Sequence, residues 1–190
     1  MSLVLASTSP QRRTILEQLR IPFEVVAPEY VEDDAQGIEP SELVRRHAEG
    51  KARSAERADR LTLGVDTAVV LDGRVYGKPA DRGDAAQMLV ALSGETHTVV
   101  SGLCLLGPGF AASEIESTKV TFRRLSREGL ETYVESGEWE GRAGAYAIQG
   151  LGARLVERIE GDYLNVVGLP AALLVSLLEE HAPKLLQTRS

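Results

Sequence analysis

The sequence predicts an α/β fold built on a mixed β-sheet. Three observations carry this reading. Apolar runs of strand length alternate with stretches of helical periodicity, at least two strand pairs are joined by hairpin-like connections, and glycine and proline mark the breaks between elements. Hairpins force antiparallel neighbours while strand–helix–strand units favour parallel ones, so the sheet is expected to contain both.

The first strand is Leu3-Val4-Leu5-Ala6, and Ser7-Thr8-Ser9-Pro10-Gln11-Arg12-Arg13 leads from it into a helix. Ser9 reads as the N-cap and Pro10 as the first helical residue, with Ile15, Leu16 and Leu19 supplying the periodicity to about Arg20. Ile21-Pro22 breaks that helix before a strand over Phe23 to Ala27, and Glu29 to Asp34 reads as an acidic loop. Pro40-Ser41 starts a second helix through Leu43, Val44, Ala48, Ala52 and Ala55. Gly50 within it costs about 1 kcal/mol relative to alanine, which suggests a close approach of another group.

Leu61 to Leu71 is an apolar strand interrupted by Asp66 and Thr67, and Asp72-Gly73 is a hairpin turn returning through Val75-Tyr76. Asp81 or Asp84 caps a third helix through Met88, Leu89 and Leu92, which Gly94 ends. Strands follow at about Thr96 to Leu106 and Ser113 to Phe122, and Ser126 caps a fourth helix ending near Gly137. The last third is punctuated by glycines, with short strands expected at about Arg154 to Ile159 and Leu164 to Val167. Leu169-Pro170 then opens a C-terminal helix to about His181.

A chain of 190 residues suits one domain with a well-filled core. With 21 Lys+Arg against 28 Asp+Glu and a net charge of -7, the surface field as a whole repels nucleic acid and anionic membrane. Any bound anion must therefore be held by a local cluster of cations. No run approaches the roughly 20 apolar residues of a membrane span, no secretory signal is visible, and the single Cys104 fits a reduced compartment, so a cytoplasmic protein is expected. His47, His97 and His181 are scattered without ligand spacing, which leaves zinc without support and implies oxygen ligands for any metal.

Chemistry concentrates at a few positions. The strand-to-helix turn at Ser7 to Arg13 combines free backbone N–H groups, hydroxyls and a helix dipole with the guanidiniums of Arg12 and Arg13, a combination suited to phosphate. Adjacent arginines point about 100° apart on a helix, so at least one is free to face water. Asp66 lies among apolar neighbours, where an ionised carboxylate needs a cation, a metal or a water to activate; a lone aspartate at a strand end more often caps a neighbouring turn. Glu32 becomes a Mg²⁺ ligand only with a second carboxylate nearby. Lys51 and Lys78 would, with the two arginines, supply enough positive charge for a triphosphate if the fold gathers them. Gln149, after the small residues of Ala143-Gly144-Ala145-Tyr146-Ala147-Ile148, has an amide able to read a base edge.

Together these segments resemble the Maf-type nucleoside triphosphate pyrophosphatases. The matching motifs are Ser7 to Arg13, Gly50-Lys51-Ala52, Gly64-Val65-Asp66-Thr67, Gly77-Lys78-Pro79, Met88-Leu89 through Gly94, Ala143 to Gly150, and Gly161-Asp162-Tyr163 through Pro170. They occur in the family's order over nearly the whole length. The resemblance implies an elongated mixed sheet flanked by helices, two lobes with a central cleft, and kinship with the inosine triphosphate pyrophosphatases. It also implies hydrolysis of a nucleoside triphosphate to the monophosphate and pyrophosphate with a divalent cation, Mg²⁺ or Mn²⁺. By position, Ser7, Arg12, Arg13, Lys51 and Lys78 match the phosphate-handling residues, Asp66 the catalytic acidic residue, and Asp66 with Glu32 the metal ligands. Base choice falls to Gln11, Thr67 and Gln149; Thr67 and Gln149 are similar to the branch favouring dTTP, UTP and modified pyrimidines, rather than the branch acting on 7-methyl-GTP. Gln11 departs from that branch's usual Arg, and Val31 replaces an Asp often found before the loop Glu. The resemblance further suggests a homodimer and brings a rival role, a nucleotide-binding regulator of septum formation. The presence of both acidic positions and all four cations favours an enzyme.

Overall fold

In the computed structural model, which describes residues 3–33 and 37–187, the uninterrupted apolar run Leu3–Ala6 forms β1 and is buried on both faces. Such a run suits a strand inside a parallel region, and β1 pairs in parallel with β2 (Phe23–Val26) on one side and β3 (Leu61–Leu71) on the other. The connections are α1 (Pro10–Gln18) and α2 (Pro40–Ser54). Asp34, at the end of the expected acidic loop, lies outside the described residues.

β4 (Arg74–Tyr76) returns antiparallel on β3 across Asp72-Gly73, where φ is 50° and 77°. Two successive left-handed residues are what a two-residue hairpin requires. There follow α3 (Arg82–Leu92), β5 (Thr96–Gly107), β6 (Phe110–Phe122), α4 (Arg127–Ser136), β7 (Val156–Glu160), α5 (Tyr163–Val167) and α6 (Ala171–His181). The seven-stranded sheet has the order β2-β1-β3-β5-β6-β7, with β4 beside β3. The expected α/β class with a mixed, helix-flanked sheet is borne out.

Three local readings need correction. Leu164 to Val167 is helical, not a strand: the Asp162 carboxylate accepts the Leu164 N–H at 2.7 Å, and the turn aims the fully buried Asn165 amide at the Val99 carbonyl and the Thr118 hydroxyl. β6 begins at Phe110 rather than Ser113, because Gly109 at φ 85° turns the chain early. Ser9 is the N-cap of α1, but its hydroxyl caps nothing; it donates to Gln11 Oε1 at 3.1 Å.

The chain forms two compact units. One draws on residues up to Asp66, on Ser101–Glu116 and on residues from Gly168 onward; the other on Thr67–Val100 and Ser117–Val167. In the first unit, α2 buries the stripe Leu43, Val44, His47, Ala48, Lys51 and Ala52, and Ala48 and Ala52 pack with Cys104 and Leu106. Two missing side chains let it lie so close: a Cβ at Gly64 would overlap the Ala48 carbonyl, and one at Gly102 the Val44 carbonyl. In the second unit the core gathers Leu89, Leu92, Val99, Phe122, Tyr133 and Tyr146 among others. His97 sits there with only 1% of its surface exposed, edge-on to Phe122 and Tyr146, its Nε2 2.9 Å from the Tyr146 hydroxyl.

Candidate active site

The site in the first unit starts where β1 ends. Ser7 is buried, and its hydroxyl accepts the Ser9 N–H and the Arg12 Nη1–H, each at 3.2 Å. Arg12 lies on the buried face of α1 with Ile15 and Leu16, and its Nε donates to the Gly168 carbonyl at 2.9 Å. Gly168 holds φ 129°, a conformation that favours glycine. Burial lowers the Arg12 pKa from its ordinary value, while the negative charges of Asp66 and Glu32 pull it back up; the group stays protonated. Arg13, about 100° further round the helix, is exposed.

Two carboxylates meet one ammonium beside this corner. Lys51 Nζ is 2.6 Å from Asp66 Oδ1 and 2.6 Å from Glu32 Oε1. The polar break seen in the apolar strand is therefore an ion-paired carboxylate, delivered by β3 to a lysine that the close packing of α2 at Gly64 brings alongside. Burial alone would raise the Asp66 pKa. The His47 hydrogen bond, the charge and hydrogen bond of Lys51 and the charge of Arg12 outweigh it and hold the carboxyl at about 2.

The loop carrying Glu32 is tied to the same helix by an aromatic ring. A Cβ at Gly50 would overlap the Tyr30 ring, which stands edge-on to His47 with centroids 5.9 Å apart. The absent side chain at Gly50 thus seats Tyr30 and, two residues on, Glu32, which is the close approach expected from a glycine in mid-helix. His47 Nδ1 lies 3.4 Å from Asp66 Oδ2 and its Nε2 3.4 Å from the Asp33 carbonyl. The Asp66 hydrogen bond is the main cause of its raised pKa.

Glu32, His47 and Asp66 each present a ligand atom within 4.8 Å of the other two, a set able to hold a metal ion. Two carboxylate oxygens and one imidazole nitrogen fit a divalent cation by donor type. The histidines were expected to be without ligand spacing, and His47 nonetheless joins this set: its members come from a loop, a helix and a strand, so linear spacing does not reveal them. A signal did exist in the sequence, since His47 and Lys51 are one helical turn apart and share a face.

The family model described as Maf-like protein matches residues 2–181. The chain belongs to that family. A relative from Symbiobacterium thermophilum named dTTP/UTP pyrophosphatase is 47% identical, with 94% of this chain and 93% of the relative covered. One of the same name from Nitratidesulfovibrio vulgaris is 48% identical over 92% and 85%. A solved HAM1 protein from Coxiella burnetii shares the fold, with a TM-score of 0.52 at 17% identity over 95% of this chain and 99% of that one.

Of the remaining Maf motif residues, Thr67, Lys78 and Gln149 belong to the second unit. Thr67 follows Asp66 on β3 and is half-buried. Lys78 and Gln149 are exposed, each on a glycine-containing connection. Those connections meet, because the Gly144 N–H donates to the Gly77 carbonyl at 3.0 Å and a Cβ at Gly144 would come within 2.9 Å of Val69. Gln11, half-buried in the first unit, has its carboxamide oxygen engaged by Ser9. No helix among the described residues is long and apolar enough to cross a membrane.

Proposed function

We propose that this chain hydrolyses nucleoside triphosphates, with dTTP, UTP and modified pyrimidine nucleotides preferred, to the nucleoside monophosphate and pyrophosphate. The observation that carries the reading is the Lys51 ammonium held 2.6 Å from each of two carboxylates, beside the buried Arg12–Ser7 corner. Names borne by relatives at 47% and 48% identity support the substrate class. In this reading Ser7, Arg12, Arg13, Lys51 and Lys78 bind the triphosphate oxygens. Thr67, Gln149 and Gln11 set the base preference through hydrogen bonds that a wrong base would leave unpaired.

Water attacks the α-phosphorus, the bond from that phosphorus to the bridging oxygen breaks, and pyrophosphate leaves. Asp66 and Glu32 hold the divalent cation, Mg²⁺ or Mn²⁺, which when bound neutralises phosphate charge and acidifies a water. A carboxyl held at about 2 is a poor proton acceptor near neutrality. We therefore give Asp66 the work of holding the cation and orienting the water rather than that of a general base. In this reading Lys51, ion-paired with both carboxylates, offsets their mutual repulsion and turns to the phosphate oxygens when substrate binds.

Pyrophosphate release measured over dTTP, UTP, dCTP and 7-methyl-GTP, with and without Mg²⁺ or Mn²⁺, tests the reading. Metal-dependent release with the pyrimidine substrates leading is expected. No release from any of them, or a preference for the methylated purine, overturns it or its base assignment respectively.

A further inference from the structure

α2 carries a histidine on its buried stripe one turn before Lys51, with 2% of its surface exposed. Its Nε2 lies 3.4 Å from the Asp33 carbonyl, an acceptor for the ring N–H on the side away from Asp66. Its Nδ1 lies 3.4 Å from Asp66 Oδ2, a contact that a hydrogen bond fills in the ion-free chain and that a shared cation can take over. Lys51 serves Oδ1 of the same carboxylate, not Oδ2. Donors bound to one first-row cation at ~2.1 Å and a tetrahedral angle lie roughly 3.4 Å apart, and the backbone carbonyl behind the far nitrogen is the support that metal-bound histidines commonly have. Glu32 supplies a third donor within 4.8 Å.

We propose that His47 is a nitrogen ligand of the cation site formed with Asp66 and Glu32, and that it makes the site favour Mn²⁺ or Co²⁺ over Mg²⁺. Mg²⁺ is hard, sheds its waters reluctantly and is bound through oxygen, whereas imidazole suits the later first-row ions. The role of the ion in turnover rests on the pyrophosphatase reading above; the binding preference does not.

The test is metal binding to the nucleotide-free full chain. Loss of the free Mn²⁺ paramagnetic resonance signal gives the Mn²⁺ affinity, competition gives that of Mg²⁺, and the visible spectrum of bound Co²⁺ reports nitrogen ligation. The wild-type chain is expected to bind Mn²⁺ more tightly than Mg²⁺. In His47→Leu the ratio of the two affinities should fall by at least the ~10-fold that losing even a ligand's supporting contact costs, with a changed Co²⁺ spectrum. His47→Gln, which keeps a hydrogen-bonding amide, should show the same fall and guards against misfolding of the leucine variant, checked by circular dichroism. An unchanged ratio, whether both ions bind as before or weaken equally as for a merely structural histidine, overturns the proposal, as does a wild-type chain that binds no Mn²⁺. Pyrophosphate release by the wild-type chain with an unchanged ratio sinks this proposal alone; a shifted ratio without any release sinks the enzymatic reading alone.

Discussion

Replacing Asp66 by asparagine removes one charge and keeps the shape, so the structure allows both a stability effect and a rate effect to be worked out. A carboxyl moved from its ordinary value of 3.8 to about 2 is stabilised in its charged form by about 2 kcal/mol at neutral pH. With the side chain only 15% exposed, solvent screening removes little of this. The substituted carboxamide would still accept from the Lys51 ammonium, but the charge attraction to Lys51 and Arg12 would be gone and the His47 hydrogen bond weakened. Urea denaturation of the metal-free protein in chelator at pH 7 should therefore show Asp66→Asn less stable by about 2 kcal/mol.

The sign with pH follows from the depressed pKa. The contribution is fully present above the unfolded value of 3.8 and is lost as pH falls through about 2, so the gap between wild type and variant should close over that interval. In turnover, the same substitution should cost roughly 10²-fold or more in kcat with nucleotide affinity little changed, because it disables the cation-holding and water-orienting group and leaves Arg12, Ser7 and Lys51 in place. Coincident denaturation curves at pH 7 would show that the ion pair does not stabilise the fold as argued. Unchanged kcat would remove Asp66 from the reaction.

Gly64→Ala drives a methyl into the Ala48 carbonyl of α2, and overpacking of this kind should cost roughly 1–3 kcal/mol by denaturant melting, while a matching Gly73→Ala, with nothing near its side-chain position, should lose less from strain at φ 77°. Gly50→Ala should instead act on activity: displacing the Tyr30 ring shifts the Glu32 loop, with roughly 10–100-fold lower kcat/KM and little change in melting temperature. His97, held at about 4 by burial against an ordinary 6.5, is neutral in the folded state. Protonation favours the unfolded chain, so stability should fall by up to roughly 3 kcal/mol as pH drops from 6.5 to 4, and His97→Gln should flatten that slope in urea titrations.

How much of this was legible in the sequence depends on how local each feature is. The Ser7 to Arg13 corner could be read directly, because a strand, an N-cap and a proline at the first helical position are neighbours in the chain. The oddity of Asp66 was legible too, as a charge inside an apolar strand. Its partner was not, since Lys51 reaches it only through the approach of α2 to β3 across Gly64, a tertiary event. The helix at Tyr163–Val167 reads as a strand for a different reason: the four residues Leu164 to Val167, three of them apolar and the last two valines, are too few for periodicity to separate the two states, and what decides is the Asp162 cap and the buried Asn165.

The contrast between Arg12 and Arg13 shows how burial sorts residues that a motif presents as equals. Both follow the same proline, yet Arg12 is turned inward with Ile15 and Leu16 and given an acceptor at Gly168 and another at Ser7, while Arg13 faces outward. An inward guanidinium survives only where fixed acceptors and nearby carboxylates replace its water, so Gly168, Ser7, Asp66 and Glu32 are as much a condition of Arg12 as Arg12 is of the site. The same logic holds on α2, whose buried stripe carries two polar side chains among apolar ones, His47 and Lys51, each with Asp66 as a partner. A buried cation next to a carboxylate is thus a stronger pointer to function than either residue type alone, because the fold tolerates it only as a set.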